Sequence, residues 1–480
     1  MPWKRRNSYK CRWKEQSVSM NILATILLAI GLLTDHPICQ QANISVLIKD
    51  AQTGQVIDEH RSDNVVPPAS VMKLLTTGAA LEMFGPSFRF TTTLEYTGTI
   101  ENGVLNGNLY IRGGCDPSLG NLKGTQAFLF KWVKAVKAAG IRSIKGAVIA
   151  DMSLLDGDAT NPNWLWEDCG NYYAPGIFAL NYMSNTLNIV LKSGPVGSVA
   201  EVIRTEPEYP GLVTINHIRC TEITYDGAYV HGLPYSRERY LTGSVPSNKG
   251  QFGVRSDMPN PGWMLALHLT KFLQEAGVAV EKPAASIAER GLETGMRQVI
   301  YEHKSDSLGA LIAETNIYSN NLYAESIFRY MGLNYGKPGT IHNSCEVVRE
   351  FWRLHGVSTK GALIKDGCGL APQDAVSAET LVQLLQYMIH SKYRDVWIKS
   401  LPVSGGPGTI TGLCRGTVLE GKIHAKSGTI AGTKNFAGYI DLPNGGQWVF
   451  AILVNSAQGK AKNVQTVIQN YLLDVYKANQ

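Results

Sequence analysis

The feature that most constrains this chain is the strand pattern at its two ends. Near the N-terminus NISVLIKDAQTGQVIDEH, residues 43–60, reads as a hairpin, with alternating apolar residues on both sides of a turn at Thr53-Gly54. Near the C-terminus GKIHAKSGTIAGTKNFAGYIDLPNGGQWVFAILVNS holds further strand-like runs, the last two separated by Pro443-Asn444-Gly445-Gly446. AKNVQTVIQNYLLDVYK follows with the period of a helix. Strands at both ends, with helices to pack on them, imply one α/β sandwich closed by the two termini.

Between the ends the texture changes. Pro67-Pro68 stops the extended chain, and Ser70–Phe84 has helical periodicity, with Leu74, Leu75, Ala79 and Met83 on its apolar face and Gly85-Pro86 closing it. From about Tyr96 to Glu289 short β-like runs with many Gly and Pro dominate, the texture of an insertion of one or two mostly β modules. Helical patterns return from Ser307, in SLGALIAETNIYSNNLYAESIFRYMG, NSCEVVREFWRLHG and SAETLVQLLQYMIHS. A length of 480 residues fits two or three domains.

The first 41 residues stand apart. A basic stretch precedes Ile22–Leu33, a mostly apolar run of signal-peptide length rather than of a spanning helix. Residues 1–41 are read as an export signal or, because no clean small-x-small cleavage site follows, as an anchor at the membrane; Met20 is an alternative start. The formal charge of +6 comes mostly from here: six basic and two acidic residues fall in this segment, leaving 39 basic against 37 acidic in the remainder. Nothing argues for nucleic acid as a partner. Six of the eight cysteines follow the leader, enough for up to three disulfides in any of 15 pairings, or for buried free thiols. No Cys-x-x-Cys or His-Glu-x-x-His occurs and the ten histidines lack ligand spacing, so no metal and no other cofactor is expected. His424 is assigned to the surface.

Three short motifs carry the chemistry. Ser70-Val71-Met72-Lys73 is the chain's one Ser-x-x-Lys; roughly one or two are expected by chance at this length, so alone it decides nothing. Ser319-Asn320-Asn321 sits between two helical runs, and Lys426-Ser427-Gly428 on a strand of the terminal sheet. In the order Ser-x-x-Lys, Ser-x-Asn, Lys-Ser/Thr-Gly they match the signatures of penicillin-binding proteins and serine β-lactamases. A serine hydroxyl attacks an amide poorly until a base takes its proton. Lys73 follows Ser70 by one helical turn, on the same face, and apolar surroundings plus the like charge of Lys426 would favour its neutral form. The N–H groups of Ser70 and Thr429 could form an oxyanion hole. Lys426 and Ser427 would bind a substrate carboxylate, Ser319 would relay a proton to the leaving amine, and Asn321 would hold the substrate backbone.

The gap between Ser70 and Ser319 is far longer than in a β-lactamase. The chain most resembles the D-alanyl-D-alanine carboxypeptidase/endopeptidase family, the low-molecular-mass penicillin-binding proteins with a large insertion there. LYIRGGCDPSLG, WLWEDCGNYYAPGIFALN, IKDGCGLAPQDAVSA and LPVSGGPGTI carry the likeness beyond the three motifs. The resemblance implies an α/β (α+β) transpeptidase sandwich, an antiparallel sheet flanked by helices, with mostly β inserted domains. The implied division is 42–95 with 290–480 as a discontinuous catalytic domain, 96–165 with 262–289 as a second domain, and 166–261 as a third. Departures are Asn320 for Asp, Cys368 for Ser, Ala371 for a hydroxyl residue, and Ser427 for Thr. The insertion would lie over the cleft, where Asp168 and Tyr173 would touch the distal stem peptide, unless Trp164, Trp166 and Tyr173 are simply its core.

The resemblance implies an exported serine-type D-Ala-D-Ala carboxypeptidase or endopeptidase of the periplasm or cell envelope. Its partners would be peptidoglycan stem peptides, with β-lactams as covalent inhibitors. Ser70, Lys73, Ser319, Asn321 and Lys426 would be catalytic, and Ser427, Gly428, Thr429, Asp168 and Tyr173 substrate-binding. A non-catalytic cell-wall-binding homologue and a D-amino-acid esterase or amidase are the alternatives.

Overall fold

The computed structural model describes residues 30–121, 126–155, 159–290, 295–334, 336 and 338–479. The basic leader and most of Ile22–Leu33 lie outside the described residues; Leu33 and Cys39 are buried in the core that backs the C-terminal helix. No helix among the described residues is long and apolar enough to cross a membrane.

The two chain ends meet in one antiparallel sheet. Its strands lie in the order Val56–His60, Asn43–Asp50, Gln447–Asn455, Thr433–Asp441, Ile423–Ile430. Asn43 lies opposite Asn455 and Asp50 opposite Trp448, so the first strand is held along its whole length by the last. The two-residue period of a strand sorts the side chains. Val449, Ala451 and Leu453 enter a core shared with Leu74, Leu75, Leu381 and Leu385. Phe450, Ile452 and Val454 enter a second core with Val464, Ile468, Tyr471 and Leu472 of the C-terminal helix Ala461–Ala478. Burying a side chain of this size is worth about 1.5–3 kcal/mol. A one-residue slip would exchange the faces and lose that match on both sides.

Ser70 lies in a 3-10 turn, Ala69–Met72, that runs straight into the α-helix Lys73–Phe84. The helix differs from the one-faced element the sequence suggests: every residue from Lys73 to Leu81 is buried. Trp352 covers one side and donates from Nε1 to the carbonyl of Leu75 at 2.9 Å. A Cβ at Gly78 would fall 2.9 Å from that indole, so a short side chain is required there. Gly85, at φ 73°, turns the chain out of the helix.

The insertion builds its own sheets. Ala285–Ser286, Val148–Asp151, Leu109–Arg112, Thr91–Tyr96 and Gln298–Lys304 form one five-stranded sheet in that order. This pairing puts both Thr91–Tyr96 and Gln298–Lys304 in the insertion's sheet, so we draw its boundaries at about Thr91 and Lys304 rather than at 96 and 289. Beyond it, Thr186–Ser193 runs between Glu201–Glu206 and Gly250–Asp257. The seven described cysteines are free and buried, which decides between disulfides and thiols for those positions.

In this outer part Arg239 donates from Nε to Asp257 Oδ1 at 2.8 Å, with the side chains 0% and 2% exposed. Burial pushes the Asp257 carboxyl up, and Arg239 opposes that rise. Replacing Arg239 with Met leaves a buried acid without its cation, so the Arg239→Met protein should lose about 3–5 kcal/mol. A lowered thermal midpoint of the full chain checks this.

Candidate active site

Lys73 is the hub of the site. Its buried Nζ lies 2.9 Å from Ser70 Oγ, 2.6 Å from Asn321 Oδ1 and 2.8 Å from the carbonyl oxygen of Cys368. The carbonyl and amide oxygens can only accept, whereas a hydroxyl can donate or accept. A neutral amine can therefore give its two N–H groups to Asn321 and Cys368 and turn its lone pair to the Ser70 proton. Burial pushes the Lys73 amine below its ordinary 10.5, against the pull of Asp366, Glu325 and Asp374 behind it.

The loop that offers the Cys368 carbonyl is wound around Asp366. That carboxylate accepts the N–H groups of Cys368, Gly369, Leu370 and Ala371, and the indole N–H of Trp164 at 2.9 Å. Burial, together with the charge of Asp366, lifts Glu325 to about 8 and Asp374 well above the carboxylate range. Glu325, Asp366 and Cys368 stand close enough to share an ion. Both Asp366 oxygens and Glu325 Oε1 are already taken by N–H donors, however, which suits an internal acid network better than a metal.

The second motif is shaped by a helix end. Ser319 terminates Leu308–Tyr318 in the left-handed conformation, φ 60° and ψ 38°. Asn320 then caps the next helix, Asn321–Asn334, by accepting the N–H of Tyr323 at 3.2 Å. This break points Ser319 and Asn321 at different lysines: Lys426 Nζ lies 3.0 Å from Ser319 Oγ, while Asn321 meets Lys73. Asn321 also donates to the carbonyl of Tyr173 at 2.7 Å, and the Tyr173 hydroxyl donates to Asp168 at 2.9 Å. Burial raises the Asp168 carboxyl and the Tyr173 hydroxyl bond opposes it.

The third motif lies on the outermost strand of the sheet. Lys426 is buried and donates to Ser427 O at 2.7 Å besides Ser319. Burial first, then the like charges of Lys73 and Lys434, pushes its amine well below the ordinary range. Gly428 passes directly over the serine: a Cβ there would lie 2.5 Å from Pro68 O and 3.2 Å from Ser70 N. Only a residue without a side chain lets the strand come this close.

Residues 29–474 match the D-Ala-D-Ala carboxypeptidase 3 (S13) family. The chain belongs to that family. As an S13 enzyme it is a serine-type D-Ala-D-Ala carboxypeptidase, a hydrolase. It is 26% identical over 445 residues to a D-alanyl-D-alanine carboxypeptidase of Actinomadura sp. (strain R39), covering 90% of this chain and 81% of the relative. Its fold is similar to that of penicillin binding protein 4 from Haemophilus influenzae, with a TM-score of 0.80 at 22% identity over 93% of this chain and 99% of that one. A structure of the Haemophilus protein complexed with a β-lactam is similar at a TM-score of 0.74 and 21% identity, over 93% and 98% of the two chains.

All ten candidate residues of this S13 chain lie in the one linked set. His424 is outside it, 3.1 Å from Asp441. Trp164 is buried on Asp366, whereas Trp166 is 63% exposed and forms no core. Three participants escaped the sequence reading: the backbone carbonyl of Cys368, Thr409, which accepts from Ser427 Oγ at 2.9 Å, and Lys434, which donates to Thr429 Oγ1 at 2.9 Å. The LPVSGGPGTI segment marked the neighbourhood of Thr409, but no motif marked Lys434.

The close passage at Gly428 is open to test. A methyl there must push the strand off the serine, so Gly428→Ala should lose about 1–3 kcal/mol of stability. Covalent labelling of the protein by a fluorescent penicillin should slow roughly a hundredfold, as misplacement by an ångström does. Thermal midpoint and labelling rate together check the pair.

Proposed function

We propose that the protein is an exported DD-peptidase that cleaves the D-Ala-D-Ala end, or a D-Ala cross-link, of peptidoglycan stem peptides through an acyl-enzyme on Ser70. The observation that carries this is the Lys73 amine, buried and 2.9 Å from Ser70 Oγ. Lys73 takes the serine proton as Oγ attacks the D-Ala carbonyl. The Ser70 and Thr429 N–H groups hold the oxyanion. The peptide C–N bond breaks, the proton reaches the leaving amine by way of Ser319, and water then hydrolyses the ester to return Ser70. Asn321 holds the substrate backbone and the Lys73 amine together. Lys426 holds Ser319 in place. Asp168 and Tyr173 lie beyond Asn321, where the distal stem peptide would run.

A β-lactam would stop at the ester, and the complexed Haemophilus relative supports that reading. The basic and apolar leader supports action outside the cytoplasm, in the periplasm or cell envelope, with the leader removed or kept as an anchor.

Ser70→Ala should abolish covalent labelling by a fluorescent penicillin while leaving the thermal midpoint near wild type. An adduct on the Ser70→Ala protein by intact mass would overturn the assignment and leave a scaffold or a different nucleophile.

Lys73→Arg keeps the charge but offers no neutral amine, so acylation should fall roughly 10²–10⁴-fold. The pH dependence follows from the lowered amine. In the wild type acylation should rise with pH as Lys73 loses its proton, with a midpoint below 10.5, and in Lys73→Arg that limb should disappear. Rates measured across pH for both proteins check it.

A further inference from the structure

Three lysines crowd the cleft, and no carboxylate lies within ion-pair distance of any of them among the described residues. Lys73 has three partners, Ser70, Asn321 and Cys368, and Lys426 has two, Ser319 and Ser427 O. Lys434 differs. It is only 8% exposed, yet its one hydrogen bond is to Thr429 Oγ1 at 2.9 Å. Two of the three N–H groups of its ammonium have no hydrogen-bond acceptor among the described residues, a costly state for a buried cation unless an anion enters.

The strand register says where that anion would lie. Lys434 stands directly opposite Thr429, and Ser427 lies two residues along, so all three share one face of the sheet edge. Thr409 joins them through Ser427 Oγ. Lys426 and Gly428 take the other face, against Ser319 and the Ser70 N–H. The ring of Phe436 walls the back, 5.0 Å from Lys434 Nζ. A planar anion set against this edge would meet the hydroxyls of Ser427 and Thr429, which is itself exposed, and the free donors of Lys434. It would sit one residue from the serine over which Gly428 passes.

We propose that Lys434, with Thr429 and Ser427, forms the subsite for the α-carboxylate of the leaving residue, and that Lys434 rather than Lys426 is its ion-pair partner. The inference rests on the peptidase reading above and names a residue outside its three motifs. In a peptide held by its scissile carbonyl at the Ser70 N–H, that carboxylate lies one residue further on. Lys426, sealed beneath the strand, acts on Ser319 and does not meet the substrate.

The test pairs two substrates with two variants. An N-acyl-D-Ala-D-Ala peptide and the same peptide ending in a carboxamide differ only in the charged group; benzylpenicillin and its methyl ester form the matching acylating pair. Lys434→Met should lower kcat/KM on the free carboxylate roughly thirtyfold or more, the scale of a buried charge pair losing one member. On the carboxamide and the methyl ester the loss should be several-fold smaller, and Lys434→Arg should restore most of the loss on the carboxylates. Deacylation of the peptide acyl-enzyme should be unaffected, because the leaving residue has gone by then; the opened penicillin keeps its carboxylate and is read at acylation alone. Lys434→Gln, which can still donate to Thr429, should behave as Lys434→Met and serves if the methionine variant fails to fold. Equal losses on both members of a pair, or no loss on either, would overturn the role of Lys434 while leaving the peptidase intact. Wild-type protein that neither hydrolyses the peptide nor takes up penicillin would instead overturn the peptidase reading, and this inference with it.

Discussion

A lysine amine held dry beside a serine is the constraint on which the rest of this protein turns. Burying Lys73 is unfavourable by itself, and it is tolerated because three polar partners, two acceptors and a hydroxyl, meet its three tetrahedral positions. They come from the same helical turn, from a residue 248 positions away and from one 295 positions away. Each must arrive at the right height and angle. That demand accounts for a helix covered on every side, for the left-handed break at Ser319, and for a loop wound around Asp366.

The same geometry shows how the residues that depart from the expected motifs keep their contacts. At Cys368 and Ala371 the contacts that matter use the backbone: a carbonyl to Lys73 and an N–H to Asp366. At Asn320 the used atom is Oδ1, which an aspartate would offer equally. Ser427 keeps the hydroxyl of the threonine it replaces. Apart from Cys368, whose thiol also reaches Asp366 Oδ2 at 3.6 Å, each substitution falls on an atom the site does not read.

The insertion is part of the site as well as its cover. Trp164 donates to Asp366, Asn161 to the carbonyl of Lys365, and Tyr173 accepts from Asn321. The two loops that hold Lys73 from either side are thus tied to the inserted domain. Movement of that domain relative to the sheet would be felt at the lysine through these three hydrogen bonds.

Much of this could be read from the residues. The strand patterns at Asn43–His60 and Gly421–Ser456, and the order of the three motifs, pointed to a sandwich closed by its termini and to Ser70, Lys73, Ser319, Asn321 and Lys426, because side-chain period and motif spacing are local properties of the chain. The direction of approach of distant parts was not local. Nothing in the sequence says that a backbone carbonyl of Cys368 would complete the Lys73 shell, since every residue carries one. Nothing sets Lys434 apart from other lysines until the register puts it opposite Thr429 and packing removes its water. The sequence by itself determined which chemical groups were present and on which elements. The tertiary structure decided which of them were desolvated, which had their donors filled and which were left to meet a ligand, because those depend on the neighbours that distant strands and loops bring.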